Sequence, residues 1–85
     1  MAHTSHILKT WPKYFERIIS GHKTFEVRKA DRDFQVGDFL TLKEYDPETT
    51  LYTGRQLSVL ITYILHGPGF GIEEGYCVMA INIDE

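Results

Sequence analysis

The densest run of potential chemistry in the sequence is Gly21-His22-Lys23-Thr24-Phe25-Glu26-Val27-Arg28. In an extended strand, Thr24, Glu26 and Arg28 point to one side and Phe25 and Val27 to the other. Lys23 stands just before the strand, and Lys29 and Arg32 follow it. One carboxylate is thereby set among several cations. Such a cluster suits an anionic or polar ligand: Arg offers a planar fork, Lys a mobile point charge, and Glu an acceptor for a base or amide N–H. Trp11, Tyr14, Phe25 and Phe34 lie close in sequence. An exposed ring beside cations is a surface for a nucleic-acid base, at ~1–3 kcal/mol per stacked base. The same residues also fit a plainer arrangement, with Glu26 and Arg28 as a surface ion pair contributing ~0–1 kcal/mol and with Trp11 and Phe25 in the core.

Turn chemistry and periodicity predict the elements that position this run. Residues 6–9 read as a short strand. A helix starts at Trp11-Pro12, with Thr10 as N-cap and Pro12 in the first turn, where a missing N–H costs nothing. Tyr14, Phe15, Ile18 and Ile19 form its apolar face, Lys13, Glu16 and Arg17 its wet face, and Gly21 its stop. Residues 30–37 are a polar connection pinned to the core by Phe34 and Val36, and Gly37-Asp38 is a turn. Strands are predicted over 39–45, 55–65 and 76–83, with a hairpin loop at 46–50. Gly67-Pro68-Gly69-Phe70-Gly71 is irregular. Tyr45, Tyr52, Tyr63 and Tyr76 read as sheet filling, with Tyr76 also a candidate to line a ligand site. The order β-α-β-β-β-β argues for an α+β fold: about five strands, one helix between the first two, closing as a small, partly open β-barrel.

The chain has 85 residues, room for one domain spanning 1–85. It is 42% hydrophobic and 25% charged, and its apolar runs fall far short of a membrane span. Met1-Ala2-His3-Thr4 has no signal-peptide design. The lone Cys77 rules out an internal disulfide and a cysteine-rich zinc site. It reads as a small buried hydrophobe and, with the rest, points to a cytoplasmic protein. The net charge of −3 argues against a general polyanion binder. Residues 1–32 nevertheless hold a balance of +4 and the remainder −7, so a local positive patch on an acidic body is expected, unless folding mixes the charges. His3 and His6 would not converge on an extended strand, so no metal is expected, and His22 reads as a solvated turn residue beside Lys23. No catalytic Ser-His-Asp order, phosphate-cradling loop or dinucleotide fingerprint is present, and no cofactor is expected.

The string G-H-K-T-F-E-V-R resembles the G-x-K-x-x-E-x-R pattern of ASCH domains, members of the PUA-like superfamily, at every fixed position. The flanking Asp31-Arg32-Asp33-Phe34-Gln35-Val36-Gly37-Asp38, Glu44-Tyr45-Asp46-Pro47 and Tyr52-Thr53-Gly54-Arg55 are similar to a short bacterial and phage-associated subgroup, and the likeness covers about residues 5–83. It implies a PUA-like barrel with a cleft beside the helix, and a role in binding RNA or a nucleotide-like ligand. Lys23, Glu26 and Arg28 would face the ligand and Gly21 would turn the chain into the strand. Trp11, Lys29, Arg32 and Tyr76 complete the expected binding set. Some relatives are amidohydrolases of acylated cytidine nucleosides, using a Lys and a Thr of this motif and a further Glu. Lys23 matches their Lys, but Glu26 stands at their Thr, and Thr24 lies two residues earlier. A lysine base must shed its proton, and a carboxylate beside it favours the charged form. A binding module is therefore the expectation, rather than an enzyme. Hydrolysis by Lys23, Thr24 and Glu26 is the alternative. A third reading is a protein-interaction module anchored on Phe70, against the expectation that Phe70 tucks into a barrel end.

Overall fold

The computed structural model describes residues 4–84. The chain runs β1 (Ser5–Thr10), α1 (Pro12–Ile19), β2 (Phe25–Lys29), β3 (Phe39–Asp46), β4 (Leu51–His66) and β5 (Tyr76–Ile83). The strands form one sheet in the order β1-β3-β4-β5-β2, curled into an open half-barrel. β1 runs parallel to β3, and the other pairs are antiparallel. The predicted element order and the α+β class therefore hold. The two strands that flank α1 in sequence end up at opposite edges of the sheet.

Period-two alternation builds the inner face. β1 turns His6, Leu8 and Thr10 inward, and β3 does the same with Leu40, Leu42 and Glu44. Val59 and Ile61 of β4 and Cys77, Met79 and Ile81 of β5 join them. Phe15 and Ile18 of α1 and Phe34 of the following connection complete the core. Cys77 is buried as expected, and burial pushes its thiol pKa up.

Several local expectations change. The N-cap is Trp11, not Thr10. Pro12 restricts the residue before it to extended backbone, so Trp11 is the last non-helical residue, and its carbonyl accepts from the Tyr14 and Phe15 N–H groups. Thr10 instead ends β1 and is buried. Only Phe15 and Ile18 of the predicted apolar helix face are buried, because one short helix against one curled sheet covers a narrow stripe. Tyr14 and Ile19 stay exposed at its margins. Val36 is also exposed, and Phe34 alone pins the connection. β4 begins at Leu51, earlier than predicted, because the hairpin pairs Asp46 with Leu51 and Tyr45 with Tyr52. Phe70 is 93% exposed at the tip of the β4–β5 loop, so it does not tuck into a barrel end. Among the described residues no helix is long and apolar enough to cross a membrane.

Buried acids tie the corners. Asp38 accepts from the His6 ring Nε2 (2.9 Å) and from the backbone N–H groups of Thr4 and Gln35 (3.1 Å each), fixing the turn before β3 to β1. Glu44 takes a bidentate fork from Arg55 (2.9 Å for each bond) and the Thr53 hydroxyl, and Arg55 also reaches Glu16 on α1. Burial alone would raise the Asp38 pKa, but the His6 bond, the two backbone bonds and the His6 charge outweigh it and hold the group below its ordinary value. The Arg55 bond depresses the Glu44 pKa against burial, with help from Thr53 and the Arg55 charge.

Both carboxylates thus have folded-state pKa values below their unfolded ones. Their contribution to stability is full above the unfolded value and is lost as pH falls through the folded value. Thermal melting should accordingly give a Tm that falls progressively below about pH 4. Asp38→Asn should lower Tm at neutral pH and flatten that acid limb.

Candidate functional site

The helix end sets up the site. Gly21 adopts φ +81°, a conformation glycine takes without penalty. The Gly21 N–H donates to Ile18 O and the His22 N–H to Arg17 O, the paired bonds of a Schellman stop. The Lys23 N–H also donates to Arg17 O, which wraps the chain tightly into β2. The stop predicted at Gly21 is therefore present, with a positioning consequence for the next residue.

β2 alternates as expected, and Glu26 faces inward with only 3% exposure. Its Oε1 accepts from Lys23 Nζ at 2.6 Å and its Oε2 from Arg28 Nε at 2.8 Å. Lys23 Nζ donates also to Phe25 O at 2.6 Å. Arg28 Nη2 reaches across to β1, bonding Lys9 O at 2.8 Å and lying 3.5 Å from Thr10 Oγ1. This is not a surface ion pair: the acid is buried and both its oxygens are engaged. Lys23 has a third N–H, and no hydrogen bond among the described residues uses Arg28 Nη1. Those donors, rather than Glu26, are the groups available to a ligand.

Phe25 and Val27 take the other face of β2 and are exposed, as is Trp11 at 50%, so Trp11 and Phe25 are not core residues. Trp11 stacks on Tyr14 with ring centroids 6.1 Å apart and planes at 22°. Lys23 Nζ lies 5.0 Å from the Phe25 ring centroid and 5.9 Å from that of Tyr14. Together these groups line a cleft of about 820 Å³ between α1, the end of β1 and β2. Four cations line it, Lys9, Arg17, Lys23 and Arg28, against the single acid Glu26. Four of the seven cations in residues 1–32 are therefore gathered at one place.

Of the residues singled out in the sequence, Lys23, Glu26, Arg28 and Trp11 meet in this cleft. Gly21 and Thr24 belong instead to a smaller hollow of about 400 Å³ beside β5. Lys29 and Tyr76 are register partners at the far end of β2 and do not line the cleft. Arg32 does not line it either; its Nη1 donates to Ile7 O at 2.9 Å. Lys9, Thr10 and Arg17 line the cleft but were not in the expected set. Arg17 was legible as the helical i+3 neighbour of Tyr14, on the side of α1 turned from the core. Lys9 and Thr10 carried no such signal, because only the curl of the sheet brings β1 to β2. His22 also lines the cleft, and its Nδ1 lies 2.8 Å from Ser20 Oγ. His3 lies outside the described residues. His6 itself is bonded to Asp38.

A family model described as a domain of unknown function (DUF3850) matches residues 5–81. The chain is also similar to the "Uncharacterized 12.9 kDa protein in GpA 3'region" of Escherichia phage P2, at 39% identity over 57 residues. That match covers 67% of this chain and 50% of the phage protein, so the chain spans about half the length of this relative.

Removing Glu26 would leave two cations facing each other without their shared acceptor. Glu26→Ala should destabilise the fold by roughly 2–4 kcal/mol in chemical denaturation, near the low end for a broken buried pair because Lys23 and Arg28 still reach water. Glu26→Gln keeps an acceptor and should cost less.

Proposed function

We propose that this chain, which belongs to the DUF3850 family, is a binding module that takes a nucleotide-like ligand or single-stranded RNA in the Trp11–Lys23–Arg28 cleft. One observation carries the reading. A single buried carboxylate, Glu26, holds Lys23 and Arg28 in fixed positions, and both cations line one cleft with the exposed rings of Trp11, Tyr14 and Phe25, the Lys23 ammonium lying against the Tyr14 and Phe25 rings. Cations supply the complement to phosphate, and the rings supply faces for a base. A cleft of about 820 Å³ is within the range of small-molecule sites. The likeness of residues 21–28 to the ASCH pattern supports the same reading and a PUA-like kinship.

Hydrolysis is the weaker reading. Lys23 Nζ is turned to a carboxylate and a carbonyl, both acceptors, which places it as a hydrogen-bond donor rather than as a group aimed at a substrate proton. The Thr24 hydroxyl is not in the main cleft. The binding reading leads to a salt titration with labelled oligouridine and with uridine monophosphate. Affinity for the oligomer should fall with salt at a slope of roughly −0.7 per phosphate neutralised, and Lys23→Ala should make that slope shallower. Trp11→Ala should weaken binding by ~1–3 kcal/mol with the slope unchanged. Absence of binding to both probes at low salt would overturn the proposal. Release of cytidine from acylated cytidine, abolished by Lys23→Ala, would replace it with the hydrolase.

A further inference from the structure

A second aromatic–cation cluster adjoins the cleft, on the outer face of β1, β3 and the β3–β4 hairpin. Lys9 belongs to both. It lines the cleft, and its Nζ lies 4.4 Å from the Tyr45 ring centroid and 6.0 Å from that of Tyr52. Lys43 is the register partner of Lys9 across β1–β3, and its Nζ lies 5.7 Å from the Tyr52 centroid. Tyr45 and Tyr52 are themselves register partners and meet edge to face, 5.2 Å between centroids at 70°. Tyr52 is 53% exposed. No salt bridge among the described residues involves Lys9 or Lys43. Of the hairpin's acids, Glu44 is turned inward to Arg55 and Asp46 accepts the Glu48 N–H, while the exposed Glu48 carboxylate forms no salt bridge with either lysine among the described residues.

A tyrosine filling a sheet would be covered. Tyr52 is open and flanked by two lysines, and one of those lysines also lines the neighbouring cleft. The pattern is that of successive stacking platforms along a cationic track, the arrangement that suits a single-stranded polynucleotide and that a lone nucleotide could not span. The paired ammonium groups of Lys9 and Lys43 beside an open ring suit a phosphate next to a base better than they suit an apolar partner.

We propose that the binding surface continues from the cleft over Lys9 onto Tyr52, and that the ligand is a single-stranded oligonucleotide. One base would occupy the Trp11–Tyr14–Phe25 cleft, another would stack on Tyr52, and Lys9 and Lys43 would meet the intervening phosphate. The inference rests on the nucleotide reading of the cleft.

The test compares fluorescein-labelled oligouridine of about eight nucleotides with uridine monophosphate. A matching oligothymidine arm separates ribose from deoxyribose, and tight binding of either polymer supports the proposal. The wild-type protein should bind the oligomer more tightly than the mononucleotide. Tyr52→Ala should lose about five-fold or more of the oligomer affinity and leave the mononucleotide affinity unchanged. Tyr52→Phe keeps the ring and should keep the affinity. Lys43→Ala should make the salt dependence of oligomer binding shallower. Unchanged oligomer affinity in Tyr52→Ala, with mononucleotide still bound, would overturn the second platform and leave the cleft standing. Failure of both probes to bind the wild type would overturn both.

Discussion

The Glu26 carboxylate is the contact on which the geometry of the cleft depends. It sits at 3% exposure between Lys23, which follows the helix stop, and Arg28, which reaches from one edge of the sheet to the other. A buried acid without partners would be strongly unfavourable, and two cations this close would repel. Each condition is relieved by the other. The result ties three parts of the chain, the α1–β2 turn, β2 and β1, through one side chain.

That tie also explains how the open half-barrel treats its seam. β1 and β2 are the two edges of the sheet, and edge strands expose unpaired carbonyls. Arg28 bonds Lys9 O and Arg32 bonds Ile7 O, two residues apart on the same edge. Guanidinium groups therefore stand where a further strand would have donated. Arg32, expected to touch a ligand, serves this closure instead. The seam stays wide enough at the helix end to form the cleft, and the donors that close it also charge it.

Asp38 and Glu44 repeat the device at other corners. Each is buried, each accepts from several donors, and among the described residues no buried side-chain polar atom lacks a partner. A chain of 85 residues has a small apolar core, so fixed polar joints add directional constraint that dispersion and burial do not supply. The Arg55 joint links α1 to the hairpin through Glu16 and Glu44, and its guanidinium lies 4.9 Å from the Phe15 ring centroid. The helix that carries Tyr14 and Arg17, with Trp11 as its N-cap, is thereby anchored to β3 and β4. Rigid placement of the rings and cations follows from these joints rather than from the loops.

The amino-acid sequence by itself determined the order of elements, the helix stop at Gly21, the alternation in β2 and the neighbourhood of Lys23, Glu26 and Arg28. All of these depend on interactions within a few residues: turn chemistry, strand period and helix capping. It did not determine that Glu26 would be the buried hub while Phe25 and Val27 face outward, since alternation specifies two faces without saying which is inside. Nor did it place Lys9 and Thr10 in the cleft, or separate Lys29, Arg32 and Tyr76 from it. Those outcomes depend on the curl of the sheet and on the pairing of β1 with β3 and β2 with β5, contacts between residues far apart in the chain. The exposure of Val36 and Phe70 belongs to the same class: an apolar residue in a loop is covered only if the core has a vacancy within its reach, and that is decided by the packed sheet and helix.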